Sequence, residues 1–146
     1  MKIDVTITEQ SGSAAPEKKV VSLVVADGRS SGVRSTASVP IANGNIRDLP
    51  LNVDASVNVT PDQRVLLELR FVYQSVSAMN PLASEGRPAP ATVDEKAAAA
   101  PRPAYTTIND ALTFLLTPGT PVIAARSANA ATDRIVTVEV TAAILK

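Results

Sequence analysis

The sequence predicts an all-β protein, an antiparallel β-sandwich of about seven or eight strands carrying a long Pro/Ala-rich loop. Three observations point there. Apolar residues recur at every second position over several segments, the period at which side chains of an extended strand share a face. The apolar content comes mainly from Val and Ala, with abundant Thr and Ser, a mixture suited to pleated surfaces rather than to helix bundles. Turn signals built on Gly, Pro, Asn and Asp separate these segments at short intervals. At 146 residues the chain is long enough for a core of its own, and 1–146 is read as one domain.

The first strand is expected over Lys2 to Glu9, with Ile3, Val5 and Ile7 on one face. Ser11 to Ser13 and Pro16 close it in a loop. A second strand follows from about Lys18 to Ala26. Val21, Leu23 and Val25 face one way and Val20 and Val24 the other, so it reads as a strand covered on two sides or as an interface. Asp27-Gly28 predicts a two-residue hairpin. The next strand, about Ser31 to Ile41, is built of small residues, and Pro40 marks its end or an edge. Asn43-Gly44 supplies a further turn, with a return strand obscured by Pro50.

Leu51 to Thr60 is the clearest strand, alternating Val53, Ala55, Val57 and Val59 with polar residues. Pro61-Asp62 turns the chain into Arg64 to Val76, where Val65, Leu67, Leu69, Phe71 and Tyr73 share a face. This segment has a helical competitor. Thr60, Pro61 and Gln63 imitate a helix start, and Val65, Leu69, Val72 and Val76 form a helical stripe. Strand is favoured because five successive alternate positions carry large apolar groups. Asn80 to Pro103 holds five of the eleven prolines and the Ala97 to Ala100 run, so 80–103 reads as a loop or arm within the domain.

Thr106 to Leu116 is read as strand, with Ile108, Leu112, Phe114 and Leu116 inward and Asp110 as the exception; a short capped helix is the alternative. Pro118-Gly119 fits the centre of a type II turn, after which Val122 to Ala125 is expected to pair back. The final strand is placed over Arg134 to Ile144, with Val136, Val138, Val140, Ala142 and Ile144 on one side.

Composition narrows the function. Fourteen basic residues balance fourteen acidic ones, so no concentrated positive field favours nucleic acid. The absence of His and Cys removes Cys nucleophiles, Ser-His-Asp triads and Cys/His zinc sites. With aromatics at 3% and no Trp, a stacking platform for sugars or bases is unexpected, although Tyr73 and Tyr105 are available to a ligand. No apolar run approaches the roughly 20 residues of a membrane-spanning helix, and no transmembrane segment is expected.

Asp54, Glu68 and Glu139 are the candidate acid/base carboxylates, and each falls on the polar side of its alternation, where solvated carboxylates are ordinary. Asn52, Asp54, Asn58 and Asp62, or Asn129 and Asp133, offer oxygen ligands for calcium but without the spacing of an EF-hand loop. Asn58-Val59-Thr60 matches a glycosylation pattern that Pro61 follows at once. No catalytic, cofactor-binding or metal residue is therefore assigned, and no cofactor is expected. Association is the more informative possibility, since Val20 to Val25 is apolar on both faces and a sheet edge exposes unpaired N–H and C=O groups.

Two stretches carry a family likeness: LNVDASVNVTPDQRVLLELRFVYQSV over Leu51 to Val76, and LLTPGTPVIAARSANAATDRIVTVEVTAAI within Thr106 to Ile144. Their order of alternating strand, Pro-Asp turn, alternating strand, variable loop and Gly-containing turn resembles the β-rich core modules of bacterial secretin-like secretion proteins. It also looks like small exported β proteins of Gram-negative bacteria such as acidobacteria. The chain shows no clear lipid-facing hairpin, so a pore is not part of what the resemblance implies. What it implies is a periplasmic or extracellular β domain whose export signal is absent from this chain, and the composition makes it non-enzymatic. Its expected partners are copies of itself or another envelope protein. A ligand- or carbohydrate-binding sandwich using its end loops is the alternative.

Overall fold

The computed structural model describes residues 1–40, 45–77, 104–129 and 133–145. They form eight strands: β1 (Lys2–Ser11), β2 (Glu17–Val24), β3 (Arg29–Pro40), β4 (Ile46–Val59), β5 (Val65–Ser77), β6 (Ala104–Leu116), β7 (Val122–Asn129) and β8 (Arg134–Ala143). Two four-stranded antiparallel sheets, in the orders β2-β1-β8-β7 and β3-β4-β5-β6, build the sandwich. Each strand hydrogen-bonds to its neighbours in sequence except at β2/β3 and β6/β7, and β8 returns to pair with β1. The topology is an up-and-down meander opened along two seams.

The alternation sets which side chains meet between the sheets. Ile3, Val5 and Ile7 of β1 and Val136, Val138, Val140 and Ala142 of β8 face Val53, Ala55 and Val57 of β4 and Val65, Leu67, Leu69 and Phe71 of β5, all buried. Burying each large side chain contributes about 1.5–3 kcal/mol, so the four central strands dominate the stability. No helix forms from Arg64 to Val76 or from Thr106 to Leu116; both are long strands, paired to each other from Val65↔Leu116 to Ser77↔Ala104.

The chemistry of the Thr60–Gln63 turn explains its helical imitation. The Gln63 amide donates to the Thr60 carbonyl at 2.9 Å, Gln63 sits at φ 60°, and Thr60 N–H returns to the Arg64 carbonyl at 2.9 Å. Such a tight turn followed by a left-handed residue is a three-residue hairpin loop. Its first residues have nearly the geometry of a helix start, and only the ladder beyond it decides the outcome.

Four expectations need correction. Asp27-Gly28 closes no hairpin, because it carries the chain from one sheet to the other. Gly28 alone takes positive φ (67°), its amide donates to Val57 O, and Asp27 Oδ1 accepts the Val59 N–H at 2.7 Å, so the crossover is pinned onto β4. Val122 to Ala125 does not pair back on β6. The Thr117–Thr120 turn is type II as expected, with Gly119 at φ 81° and Thr120 N–H on Thr117 O at 3.1 Å. Gly119 N–H, however, donates to Ala142 O at 2.7 Å, and β7 joins β8 instead. Ile144 lies beyond the end of β8 and is exposed rather than part of the inward face. The second strand is covered on one side only: β2 is an edge, and Val20 and Val24 are 61% and 67% exposed.

Pro50 sits inside β4, which begins at Ile46, earlier than the sequence showed. It is tolerated because the β4–β5 ladder starts only at Leu51, so at Pro50 the strand pairs with β3 alone. Pro40 indeed ends an edge strand. The Asn43-Gly44 turn and the 80–103 loop lie outside the described residues.

Candidate functional site

The carboxylates singled out from sequence do not converge. Asp54 and Glu68 stand on the outer face of the β3-β4-β5-β6 sheet, and Glu139 stands on the outer face of the other. Both carboxylate oxygens of Asp54 accept from one guanidinium nitrogen of Arg34, at 2.7 and 2.9 Å. Gly32 makes room for it, since a Cβ there would lie 2.4 Å from Asp54 Oδ1. Beside this pair, Ser30, Ser56, Glu68 and Arg70 border a shallow, open cleft. Asp62 belongs to its turn: it accepts from Thr60 Oγ1 and Arg64 Nε, both at 2.5 Å, and these bonds hold its carboxyl below the ordinary range. Among the described residues, no group of three or more acidic side chains is placed to hold a metal ion. Tyr73 is buried, and Arg47 stacks 3.7 Å above one face of the half-buried Tyr105 ring.

A different cluster emerges inside the sandwich. At the end where β1, β3 and β5 finish, the inward positions change from apolar to polar. Glu9 follows Ile3, Val5 and Ile7 on β1, Ser75 follows Tyr73 on β5, Arg134 opens β8, and Lys19 precedes Val21 on β2. Glu9 and Arg134 are 8% and 5% exposed and form a buried ion pair. Lys19 Nζ donates to the Tyr73 hydroxyl at 2.7 Å.

The electrostatics follow from burial and neighbours. Desolvation acts to raise the Glu9 pKa, but Tyr73, Ser75 and Arg134 together outweigh it and hold the carboxyl below its ordinary value. Desolvation first, then the hydrogen bond to Glu9 and the Glu9 charge, push the Tyr73 hydroxyl well above the ordinary tyrosine range, so it remains neutral. Glu9 Oε1 and Ser75 Oγ nonetheless complete no hydrogen bond of good geometry.

Glu9, Lys19, Tyr73 and Ser75 line a cavity of about 410 Å³ between β2 and β3, whose remaining wall is largely apolar, from Ala37, Val39, Leu49 and Leu51. An apolar pocket with a few converging polar groups is the usual form of a binding site. The sequence held one signal for it: polar residues at inward-facing positions, Glu9 and Ser75, interrupting two otherwise regular apolar alternations.

No protein-family model and no curated protein matches the chain. Among solved structures, the InvG secretin-domain β-barrel of the Salmonella SPI-1 injectisome aligns over 99% of this chain and 61% of its own, at 9% identity and a TM-score of 0.39. A second structure of the same secretin aligns at 9% identity and a TM-score of 0.37, with the same coverage of both chains. The chain thus spans less than two thirds of these secretin chains. This protein is weakly similar in structure to secretin β domains.

Proposed function

We propose that this chain is a single non-enzymatic β domain whose work is protein–protein association, including association with copies of itself. The observation that carries this reading is the apolar rim of the β2-β1-β8-β7 sheet. Its outer face is polar at the centre, where Lys2, Asp4, Thr6, Thr137, Glu139 and Thr141 stand on β1 and β8. Its edge strands instead present Val20 and Val24 on β2 and Ile123 on β7, all more than half exposed. Isolated surface valines are common, but placement on both unpaired edges of one sheet joins apolar area to free backbone groups. Val20, Thr6, Glu139 and Ile123 lie in one cross-strand row, so both apolar edges sit at the same height of the sheet.

An envelope or extracellular setting accompanies the secretin-like sequence pattern, and fractionation of cells producing the full-length protein tests it. Among the described residues, no helix is long and apolar enough to cross a membrane. Self-association is tested by light scattering over a concentration series. The wild type is expected above monomer mass, and Val20→Thr with Val24→Thr, which keeps β-branched shape, is expected to shift it toward monomer. A wild type that stays monomeric throughout, or a variant of unchanged mass, overturns the self-association reading.

A further inference from the structure

The outer face of β5 carries Leu66, Glu68, Arg70 and Val72 at successive outward positions. Glu68 and Arg70 are exposed, and among the described residues neither enters an ion pair or a hydrogen bond. Two positions apart on one strand, their Cα atoms stand about 7 Å from each other. Their neighbours across the sheet give them no partner. Glu68 lies between Ser56 and Thr113, and Arg70 between Asp54 and Ala111, with the Asp54 carboxylate already held by Arg34. The two charges therefore rise above small side chains, and Gly32 hollows the β3 side into a shallow cleft of about 440 Å³ that they border with Ser30 and Ser56. Apolar groups flank the charges. Leu66 and Val72 are half-buried, and Leu115, opposite Leu66 on β6, is 47% exposed.

We propose that this face is a second self-contact, in which two copies stack their β3-β4-β5-β6 sheets about a two-fold axis at the level of Leu69. The axis runs parallel to the sheets and across the strands. The inference rests on the association reading and adds a surface on the sheet opposite the Val20 and Val24 rim. The residue pattern identifies the occupant. In either direction from Leu69 the outward positions are a charge and then an apolar residue, and the two charges are opposite in sign. With the β5 strands antiparallel across the interface, Glu68 lies over the partner's Arg70, and Arg70 over the partner's Glu68. Leu66 lies over the partner's Val72. An isologous contact demands this self-complementarity, since each patch meets its own copy. A parallel stacking would set like charge on like charge, so the charges also fix the orientation. The formal net charge is zero, and no overall repulsion opposes the approach of two copies. Small residues beside the charges let the sheets reach the ordinary face-to-face spacing of about 10 Å. The Ser30 and Ser56 hydroxyls at the cleft accept further N–H groups of the partner's Arg70.

The test is sedimentation equilibrium of the whole protein over a concentration series, in a background carrying Val20→Thr and Val24→Thr so that the rim is silenced. This background is expected to remain in monomer–dimer equilibrium, with the dimer weakened by added salt. Arg70→Glu in that background is expected to raise the dissociation constant about a hundredfold or more, because two attractive pairs become two repulsive ones. Glu68→Arg is expected to do the same. An equimolar mixture of these two variants is expected to regain the dimer, since every charged contact between them again joins Glu to Arg. A chain carrying both Glu68→Arg and Arg70→Glu is expected to self-associate as the background does. The mixture and the double exchange separate a lost interface from a lost fold. The proposal is overturned by a background that stays monomeric up to millimolar protein, by single variants of unchanged mass, or by a mixture that stays monomeric. The rim reading fails separately, through a wild type whose mass the Val20 and Val24 substitutions leave unchanged while Arg70→Glu lowers it.

Discussion

Replacing Glu9 by leucine puts the interior polar cluster to a quantitative test. Glu9 and Arg134 are each more than nine-tenths buried, and their ion pair joins strands from opposite ends of the chain. Glu9→Leu leaves the guanidinium buried without its carboxylate, a change that costs about 3–5 kcal/mol. For a domain of this size that lowers Tm by roughly 10–15 °C. Glu9→Leu with Arg134→Met removes both charges, and it is expected to recover to within about 1 kcal/mol of wild type or to exceed it. Urea denaturation of the wild type, both single variants and the double variant at pH 7 closes the thermodynamic cycle. The pH dependence supplies a second constraint. The folded pKa of Glu9 lies below its ordinary value of 4.5, so its contribution is complete above that pH and is lost as pH falls through the folded pKa. The gap between wild type and Glu9→Leu must therefore narrow below about pH 4.5. A single-variant cost under about 1 kcal/mol at pH 7, or a gap that stays constant into acid, would refute the reasoning.

Two further stability measurements probe the core and a turn. Phe71→Ala, which removes the largest fully buried side chain, should cost about 3–5 kcal/mol in urea unfolding with an unchanged m-value; a loss below about 1 kcal/mol would mean the two sheets are not packed on it. At Gly119, φ is 81° and an added Cβ would meet no atom within 4 Å, so Gly119→Ala isolates backbone strain. It should destabilise by about 1–2 kcal/mol, and Gly119→Asn by less, since asparagine tolerates the left-handed region.

Much of the fold was legible because strand character is local. In Val65 to Tyr73 or Arg134 to Ala142, the period of two states both the conformation and the buried face without reference to any partner. The turn at Pro118-Gly119 was legible for the same reason, since proline and glycine constrain two neighbouring residues. Pairing was not. Asp27-Gly28 has the composition of a hairpin turn, and whether the next strand lies beside β2 or crosses to the other sheet depends on where Val57 and Val59 offer hydrogen bonds. The N-cap imitation at Thr60–Gln63 shows the same limit, because helix and hairpin share those first few dihedral angles.

The candidate site lay furthest from view. Asp54, Glu68 and Glu139 attracted attention as carboxylates on strands, but alternation had already turned them toward solvent. Glu9 and Arg134 are 125 positions apart, and each alone reads as a polar residue near a strand end. The sequence by itself determined which residues extend, which face inward and where the tightest turns fall, because each depends on dihedral preference and hydrophobic period within a few residues. Tertiary structure alone decided that β8 closes onto β1, that β2 and β3 stand apart around a cavity, and that the Glu9 lining it is paired with Arg134. Those outcomes depend on which distant backbone groups and side chains remain available to one another once the sheets have packed.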